Sequence, residues 1–285
     1  FPTIGVITNV GQAHLGEVGS VENIAKAKSE LVKALPDDGV AILNADDPQV
    51  MAMQAMTKAT VFSYGFATDA DVRAEQISIT PRGTYTFDLI YRGNRVATSL
   101  PFLGLHNISN VLAAAAVGIS VGMELEDIAG AIADLKQMSK WRMEVHQVSN
   151  DVTVINDAYN ASPDSTKAAL QTLAILGRET GRRTVAVLGE MAELGKFAAE
   201  QHDAIGRIVV RLNIDQLFVV GENAKLIHMG ASQEGSWDGE SKFFDSIDTA
   251  LEAVREMLVT GDIVLIKSSK SANLRHLGDA LMGAK

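Results

Sequence analysis

Apolar positions along this chain fall into short runs of strand length that alternate with longer stretches at helical spacing. Ile4 to Val10 is β-rich and ends in the polar stretch Thr8-Asn9-Val10-Gly11-Gln12-Ala13-His14. Ser20 heads a predicted helix, with Glu22 and Asn23 in its first turn and Ile24, Ala25, Lys28, Leu31 and Val32 along it. Pro36-Asp37-Asp38-Gly39 reads as a turn before a strand from Val40 to Leu43. The polar tip of that strand, Asn44-Ala45-Asp46-Asp47-Pro48, enters another helix, and Thr60 to Tyr64 reads as a third strand.

From Asp71 to Leu100 the period changes to two. The segments Thr84–Tyr91 and Arg95–Leu100, joined by the turn Arg92-Gly93-Asn94, predict an antiparallel hairpin appended to a parallel sheet. Leu103 to Asn110 leads into a predicted helix over Val111–Val121, followed by a second over Leu125–Leu135. The stretch Lys136–Arg142 is the expected domain boundary, because β pattern resumes at Glu144. Beyond it strands and helices alternate: strand Val152–Ile155 with helix Asp164–Leu176, Thr184–Leu188 with Ala198–Leu212, Gln216–Val220 with Ala224–Met229, and Ile263–Ile266 with Leu274–Leu281. Such alternation predicts an α/β fold, a mostly parallel sheet with helices on both faces. No internal repeat or low-complexity tract is evident.

The length of 285 residues suits two domains, and 47% apolar with 21% charged residues is the profile of a globular chain. A net charge of −10 without a basic run argues against nucleic acid as a partner. Zero cysteines exclude disulfides and thiolate metal ligands, and fit a reducing cytoplasm. The longest apolar run, Val111 to Val121, is too short to span a bilayer, so no membrane insertion is expected. The chain opens at Phe1-Pro2-Thr3-Ile4, already strand-like and without methionine, which leads us to expect sequence preceding it.

Polar residues recur at predicted strand ends and helix starts: His14, Asn44 and Asp46, His106, Asn107 and Asn110, Asp157 and Asn160, Glu190, and Lys267, Ser269 and Lys270. The densest stretch is Val154-Ile-Asn-Asp-Ala-Tyr-Asn-Ala-Ser-Pro-Asp-Ser165, where Asn156, Asp157, Tyr159 and Asn160 crowd the end of a strand. Ser162 is a natural N-cap there, with Pro163 at the first helical position. In open α/β sheets ligands bind beyond the carboxyl ends of the strands, although the same residues also make an ordinary capped turn. Gly189-Glu-Met-Ala-Glu-Leu-Gly195-Lys196 imitates a phosphate loop, but its glycines are one residue too far apart and Phe197 stands where Ser or Thr would bind metal. It is not a Walker motif.

These segments, taken together and in order, resemble the Mur ligase family, and within it the D-alanyl-D-alanine-adding (MurF-type) branch. The matching stretches are Thr8 to Leu15, Ile24 to Glu30, Leu43 to Asp47, Gly104 to Asn110, Arg142-Met-Glu-Val, Asn156 to Pro163 and Leu188 to Gly195. The resemblance implies the rear part of a P-loop-type central ATPase domain, residues 1–138, followed by a Rossmann-like carboxyl-terminal α/β domain, residues 139–285. It implies an ATP- and magnesium-dependent amide ligation, cytoplasmic and monomeric, that joins UDP-N-acetylmuramoyl-tripeptide to D-alanyl-D-alanine through an acyl phosphate. Carried over residue by residue, Lys28 matches the lysine that is carbamylated to bind magnesium, and His14 the histidine beside it. Asn107 and Asn110 match adenine contacts, Arg142 a γ-phosphate contact and Asp157 a ribose contact. Tyr159, Asn160, Ser162 and Lys267 would lie beside the substrates. The chain departs from the family in lacking a Gly-Lys-Thr loop, so this fragment alone is expected to be inactive. It also carries Lys267-Ser268-Ser269-Lys270 in place of Lys-Gly-Ser-Arg. The alternatives are a sister Mur or folylpolyglutamate-type ligase, distinguished by Asp157 to Asn160 and Leu188 to Gly195, or a truncated binding module without catalysis.

Overall fold

The computed structural model describes residues 2–11, 18–80, 83–137, 139–235 and 240–283. The described residues up to Lys136 form one compact unit, and those from Gln137 onward form a second.

The first unit runs β1 (Ile4–Ile7), α1 (Val21–Lys33), β2 (Val40–Asn44), α2 (Pro48–Met51), β3 (Thr60–Gly65), β4 (Val72–Ile79), β5 (Tyr85–Tyr91), β6 (Asn94–Leu100), α3 (Leu105–Ser120) and α4 (Leu125–Ala133). The strands form one sheet in the order β1-β2-β3-β4-β5-β6. Pairing is parallel from β1 to β4 and antiparallel from β4 to β6. The period-two region is therefore a three-stranded meander, one strand more than the expected hairpin. Arg92 and Gly93 turn β5 into β6 with φ of 49° and 81°, the left-handed pair that a two-residue hairpin loop requires.

Alternation along the strands sorts side chains to the two faces of the sheet. Ile7, Ala41 and Leu43 pack with Val32, Leu35, Val50 and Met53 on the α1 and α2 side. Ile42, Tyr64, Phe87 and Leu89 pack with Ile108, Leu112, Ala115 and Ile128 of α3 and α4 on the other. Helix α1 starts where Ser20 Oγ accepts the Asn23 amide at 3.2 Å, the predicted cap. Helix α3 begins at Leu105, not at Val111. His106, Asn107, Ser109 and Asn110 read as loop residues, yet Ile108 and Leu112 are fully buried one turn apart, and that apolar pair draws the segment into the helix.

The second unit runs β7 (Glu144–Gln147), β8 (Thr153–Asn156), α5 (Pro163–Thr180), β9 (Thr184–Leu188), α6 (Ala198–Arg211), β10 (Gln216–Val220), α7 (Lys225–Glu234), β11 (Ser241–Phe244), α8 (Ile247–Met257), β12 (Ile263–Lys267) and α9 (Arg275–Met282). Its sheet order is β11-β10-β9-β12-β8-β7, parallel throughout except for β7. β11 and α8 were not anticipated. β11 is a four-residue, partly exposed strand, too short to register as a period. Val154, Val185, Val187, Phe218 and Val264 pack with Ala250 and Val254 of α8, Leu277 of α9 and Leu274 just before it. α5 starts with Ser162 as N-cap and Pro163 as its first residue, as expected.

The amino ends of these strands are tied by structural cations. Arg183 grips the buried Asp262 carboxylate with two bonds, of 2.9 and 2.7 Å, and Arg182 donates to the Asp151 carbonyl and the Thr153 hydroxyl. The carboxyl ends carry the chemistry described below.

α6 and α7 cross at two glycines: a Cβ on Gly206 would collide with the Ile227 carbonyl, and one on Gly230 with that of Asp203. Gly206→Ala is therefore expected to destabilise the fold by about 1–3 kcal/mol in urea titrations, as overpacking does. Gly130, inside α4 with open space at its Cβ, should behave oppositely. Gly130→Ala is expected to stabilise by about 0.5–1 kcal/mol.

Candidate functional site

In the second unit the carboxyl ends of β8 and β12 lie side by side, and their parallel pairing places Asn156 opposite Ile266. The next residues, Asp157 and Lys267, meet: Lys267 Nζ donates to Asp157 Oδ2 at 2.6 Å and to the Asn160 carbonyl at 3.1 Å. The Lys267 side chain is only 2% exposed and the Asp157 side chain 15%, so this ion pair is screened from water. The other Asp157 oxygen accepts the Met143 amide at 3.0 Å. Thus Asp157 ties β12 and the segment before β7 to the end of β8.

Arg142 lies in that segment, and both neighbours are left-handed: Trp141 has φ 59° and Met143 has φ 49°. Such backbone in side-chain-bearing residues stores strain and persists only where bonds enforce it. Here Trp141 N–H donates to Glu144 Oε2 at 2.8 Å, and the Trp141 carbonyl accepts from Tyr159 N–H at 3.0 Å. The Arg142 guanidinium carbon is 4.2 Å from the centroid of the Tyr159 ring, and Lys270 Nζ is 5.6 Å from the same centroid. Two cations thus converge on one partly exposed ring, a cation–π arrangement. Burial works to raise the Glu144 carboxyl, but the Trp141 amide, His146 and Lys140 outweigh it and hold it below the usual carboxylate range.

Ser162 caps α5: its hydroxyl accepts the Ser165 amide at 3.3 Å, and Ser165 Oγ accepts the Ser162 amide at 2.9 Å. Three amides of the loop Gly189 to Gly195 are taken by groups of neighbouring elements. Gly189 N–H donates to the Lys267 carbonyl, Met191 N–H to His202 Nε2 and Ala192 N–H to Ser269 Oγ. His202 is 2% exposed. Its Nδ1 donates to the Ala198 carbonyl at 2.7 Å, so it is the Nδ1–H neutral tautomer. Burial lowers its pKa against the opposing pull of that carbonyl.

In the first unit, four side chains converge on the loop after β1. Lys28 Nζ donates to the Asn9 carbonyl at 2.6 Å, Asn44 Nδ2 to the Thr8 carbonyl at 2.7 Å, and Asp47 Oδ2 accepts the Val10 amide at 2.7 Å. Tyr64 Oη reaches the Thr8 carbonyl at 3.4 Å, its phenol pushed up by burial and then by Asp46 and Asp47. Asp46 accepts the Phe66 and Ala67 amides and closes the turn after β3. Asn107 and Asn110 bond to one another at 3.2 Å on the first turns of α3, and Asn107 also donates to the Leu103 carbonyl.

The structure brings Arg142, Asp157, Tyr159, Asn160 and Lys267 together and sets Ser162 at the adjoining helix start. Lys28 lies on α1 and reaches the loop after β1, and Asn107 with Asn110 lies on α3. His14 lies outside the described residues. Among the described residues no group of three or more His, Asp or Glu is arranged to hold a metal ion. Lys28 acts here as a hydrogen-bond donor to the Asn9 carbonyl. Sequence reasoning missed Trp141 and Asp279, whose pairing is described below. The available signal was a tryptophan, one of only two in the chain, inside a polar junction.

Two family models match: the Mur ligase middle domain over residues 1–118 and the Mur ligase glutamate ligase domain over residues 141–270. The chain belongs to the Mur ligase family. It is 42% identical to the UDP-N-acetylmuramoyl-tripeptide–D-alanyl-D-alanine ligase of Mycobacterium tuberculosis, over 99% of this chain and 58% of that protein. The crystal structure of MurF from Acinetobacter baumannii superposes with a TM-score of 0.87 at 29% identity, covering 99% of this chain and 60% of that one. The MurF ligase of Thermotoga maritima in complex with ADP shares the fold, with a TM-score of 0.85 at 21% identity over 99% of this chain and 62% of that one. The chain spans 58% of the length of the curated mycobacterial relative.

Two outcomes follow for the second unit. Lys267→Met leaves the Asp157 carboxylate without its buried partner and is expected to cost about 3–5 kcal/mol in urea unfolding. Lys267→Met with Asp157→Leu should cost less than the sum of the two single changes. For His202, the folded pKa lies below the 6.5 of the free imidazole, so the unfolded chain binds more protons between the two values. Stability should therefore fall as pH drops through about 6.5 and level off below the folded value. His202→Gln should flatten that slope in thermal melts.

Proposed function

We propose that this chain is the middle and carboxyl-terminal portion of an ATP-dependent ligase that joins D-alanyl-D-alanine to UDP-N-acetylmuramoyl-tripeptide in peptidoglycan precursor synthesis. The observation that carries the reading is the cluster around Tyr159, with Arg142 and Lys270 over one ring beside the Asp157–Lys267 pair, in a chain 42% identical to such a ligase over 99% of its length. Residues 1–138 are assigned to the central domain and residues 139–285 to the carboxyl-terminal domain. ATP supplies the phosphoryl group that activates the tripeptide carboxylate, and the dipeptide amine then displaces phosphate.

What the residues contribute follows from their chemistry. Arg142 offers a planar, permanently charged fork for phosphoryl oxygens. Asp157 retains lone pairs for ribose hydroxyls beyond the two bonds it makes. Asn107 and Asn110 present amides suited to the mixed donor and acceptor edge of adenine. Tyr159, Asn160, Ser162 and Lys267 border the place proposed for the amine substrate. Lys28, as its carbamate, and His14 are the proposed magnesium ligands: an anionic oxygen donor suits a hard cation, whereas the free amine does not. The proposed enzyme is cytoplasmic and monomeric; among the described residues no helix is long and apolar enough to cross a membrane.

A second reading keeps the acyl-phosphate chemistry and changes the amine. The family model for residues 141–270 is described as a glutamate ligase domain, and that favours a single amino acid as acceptor. The discriminating measurement is phosphate release by the intact gene product with UDP-muramoyl-tripeptide, ATP and magnesium. Release dependent on D-alanyl-D-alanine is expected. Release driven by a free amino acid instead would move the protein to a sister ligase, and no release with any amine would leave a binding module.

A further inference from the structure

We infer that Asp279, acting through Trp141, is the positioning residue that fixes where Arg142 points. The inference rests on the reading of Arg142 given above and extends it to the last helix of the chain.

Arg142 is exposed and sits between two left-handed side-chain-bearing residues, so its direction is set by whatever holds that backbone. Four of the holding bonds come from groups close by or already in the site: Glu144 on the Trp141 amide, Tyr159 N–H on the Trp141 carbonyl, Gln137 Nε2 on the Arg142 carbonyl at 2.7 Å and Asp157 on the Met143 amide. The fifth comes from α9. Trp141 Nε1 donates to Asp279 at 2.9 Å to Oδ1 and 3.2 Å to Oδ2, across 138 residues of chain. A charged acceptor makes this a strong bond, and it fixes the indole plane as well as its distance.

The surroundings are built around that bond. Asn156 Nδ2 donates to Asp279 Oδ1 at 3.3 Å and to the Arg275 carbonyl at 3.0 Å. α9 can come this close because position 278 is glycine, where any Cβ would collide with Asn156. The Arg275 guanidinium carbon lies 5.4 Å from the Trp141 ring centroid. Asp279 and Glu144 also line a cavity of about 590 Å³ with Lys140, His146, His276 and Met282. Asp279 thus borders a polar hollow, with His276 Nδ1 4.0 Å from Oδ2, and gives its shortest bond to the indole of the residue before Arg142. That bond links α9 to the backbone that carries Arg142.

The test is a double-mutant cycle in the intact gene product, read as phosphate release dependent on D-alanyl-D-alanine. Asp279→Ala should lower kcat about tenfold while KM for the dipeptide stays within about twofold. Asp279→Asn, which keeps an acceptor oxygen at similar reach, should recover most of the loss. In an Arg142→Ala background, Asp279→Ala should cost nothing further, because both changes remove the same function. Trp141→Phe, which keeps the ring and loses the donor, should reproduce the kcat loss and covers the case in which Asp279→Ala fails to fold. A folded Asp279→Ala enzyme with parental kcat overturns the inference, and so does a loss that multiplies undiminished in the Arg142→Ala background. If Arg142→Ala itself turns over at the parental rate, the role assigned to Arg142 falls first and the inference with it.

Discussion

The second unit depends on one buried ion pair. An ammonium taken out of water at the end of β12 is costly unless it is matched, and Lys267 is matched by Asp157 at 2.6 Å. Its remaining donors turn to the Asn160 carbonyl and, at the longer distance of 3.5 Å, to the Asp157 carbonyl. The pair therefore does more than join two strands. It dictates the path of residues 157–160 because the turn must bring its carbonyls to the lysine. It also leaves Asp157 with a second oxygen aimed at the Met143 amide. Remove the lysine, and the turn, the junction segment and the Tyr159 ring lose their common reference point.

Among its described residues, the first unit solves a similar problem without a buried ion pair. The loop after β1 exposes backbone groups that no strand partner can satisfy, and side chains from other elements satisfy them. Asn44 and Tyr64 approach the Thr8 carbonyl, Lys28 the Asn9 carbonyl, and Asp47 the Val10 amide while also capping α2. Neutral amides, a phenol and partly exposed charges cost little to desolvate. Residues 8–10 are held in place while Lys28 stays partly exposed.

Much of this was legible in the residues, and the exceptions have physical reasons. Ser162-Pro163 announced α5 because caps are local chemistry, and the buried strands of the second unit announced themselves as apolar runs. Asp157, Asn160 and Lys267 stood out as polar residues at strand ends, where the chain folds them into one place. The start of α3 was misjudged because polar residues on its exposed turns outweighed the Ile108–Leu112 spacing that decides its fate. β11 was missed because four residues carry no reliable period. α8 was missed although its eleven residues are long enough to show one and Ser246 caps it at 3.3 Å to the Thr249 amide. The Trp141–Asp279 bond had no local signal at all. A contact across 138 residues is settled by topology, and β7 pairing antiparallel to β8 brings the two residues together.

Left-handed backbone at Trp141 and Met143 would be easier to build with glycine, which avoids a penalty of roughly 1–2 kcal/mol at each position. The chain uses a tryptophan and a methionine instead. Glycine at 141 would remove the strain and with it the handle: no indole to bind Asp279, nothing for Arg275 to lie against. Glycine at 143 would remove a side chain that is 6% exposed and anchors the far end of the segment. Glycine would also broaden the unfolded ensemble and loosen the folded one. Strain of about 2–4 kcal/mol across the two residues is tolerable because charge-assisted bonds of about 1.5–3 kcal/mol each, from Glu144, Asp279 and Asp157, oppose it. The net effect is small in stability and large in geometry. A long, flexible arginine is presented from a backbone that has one conformation, so its guanidinium need search only its own rotamers before it engages a ligand.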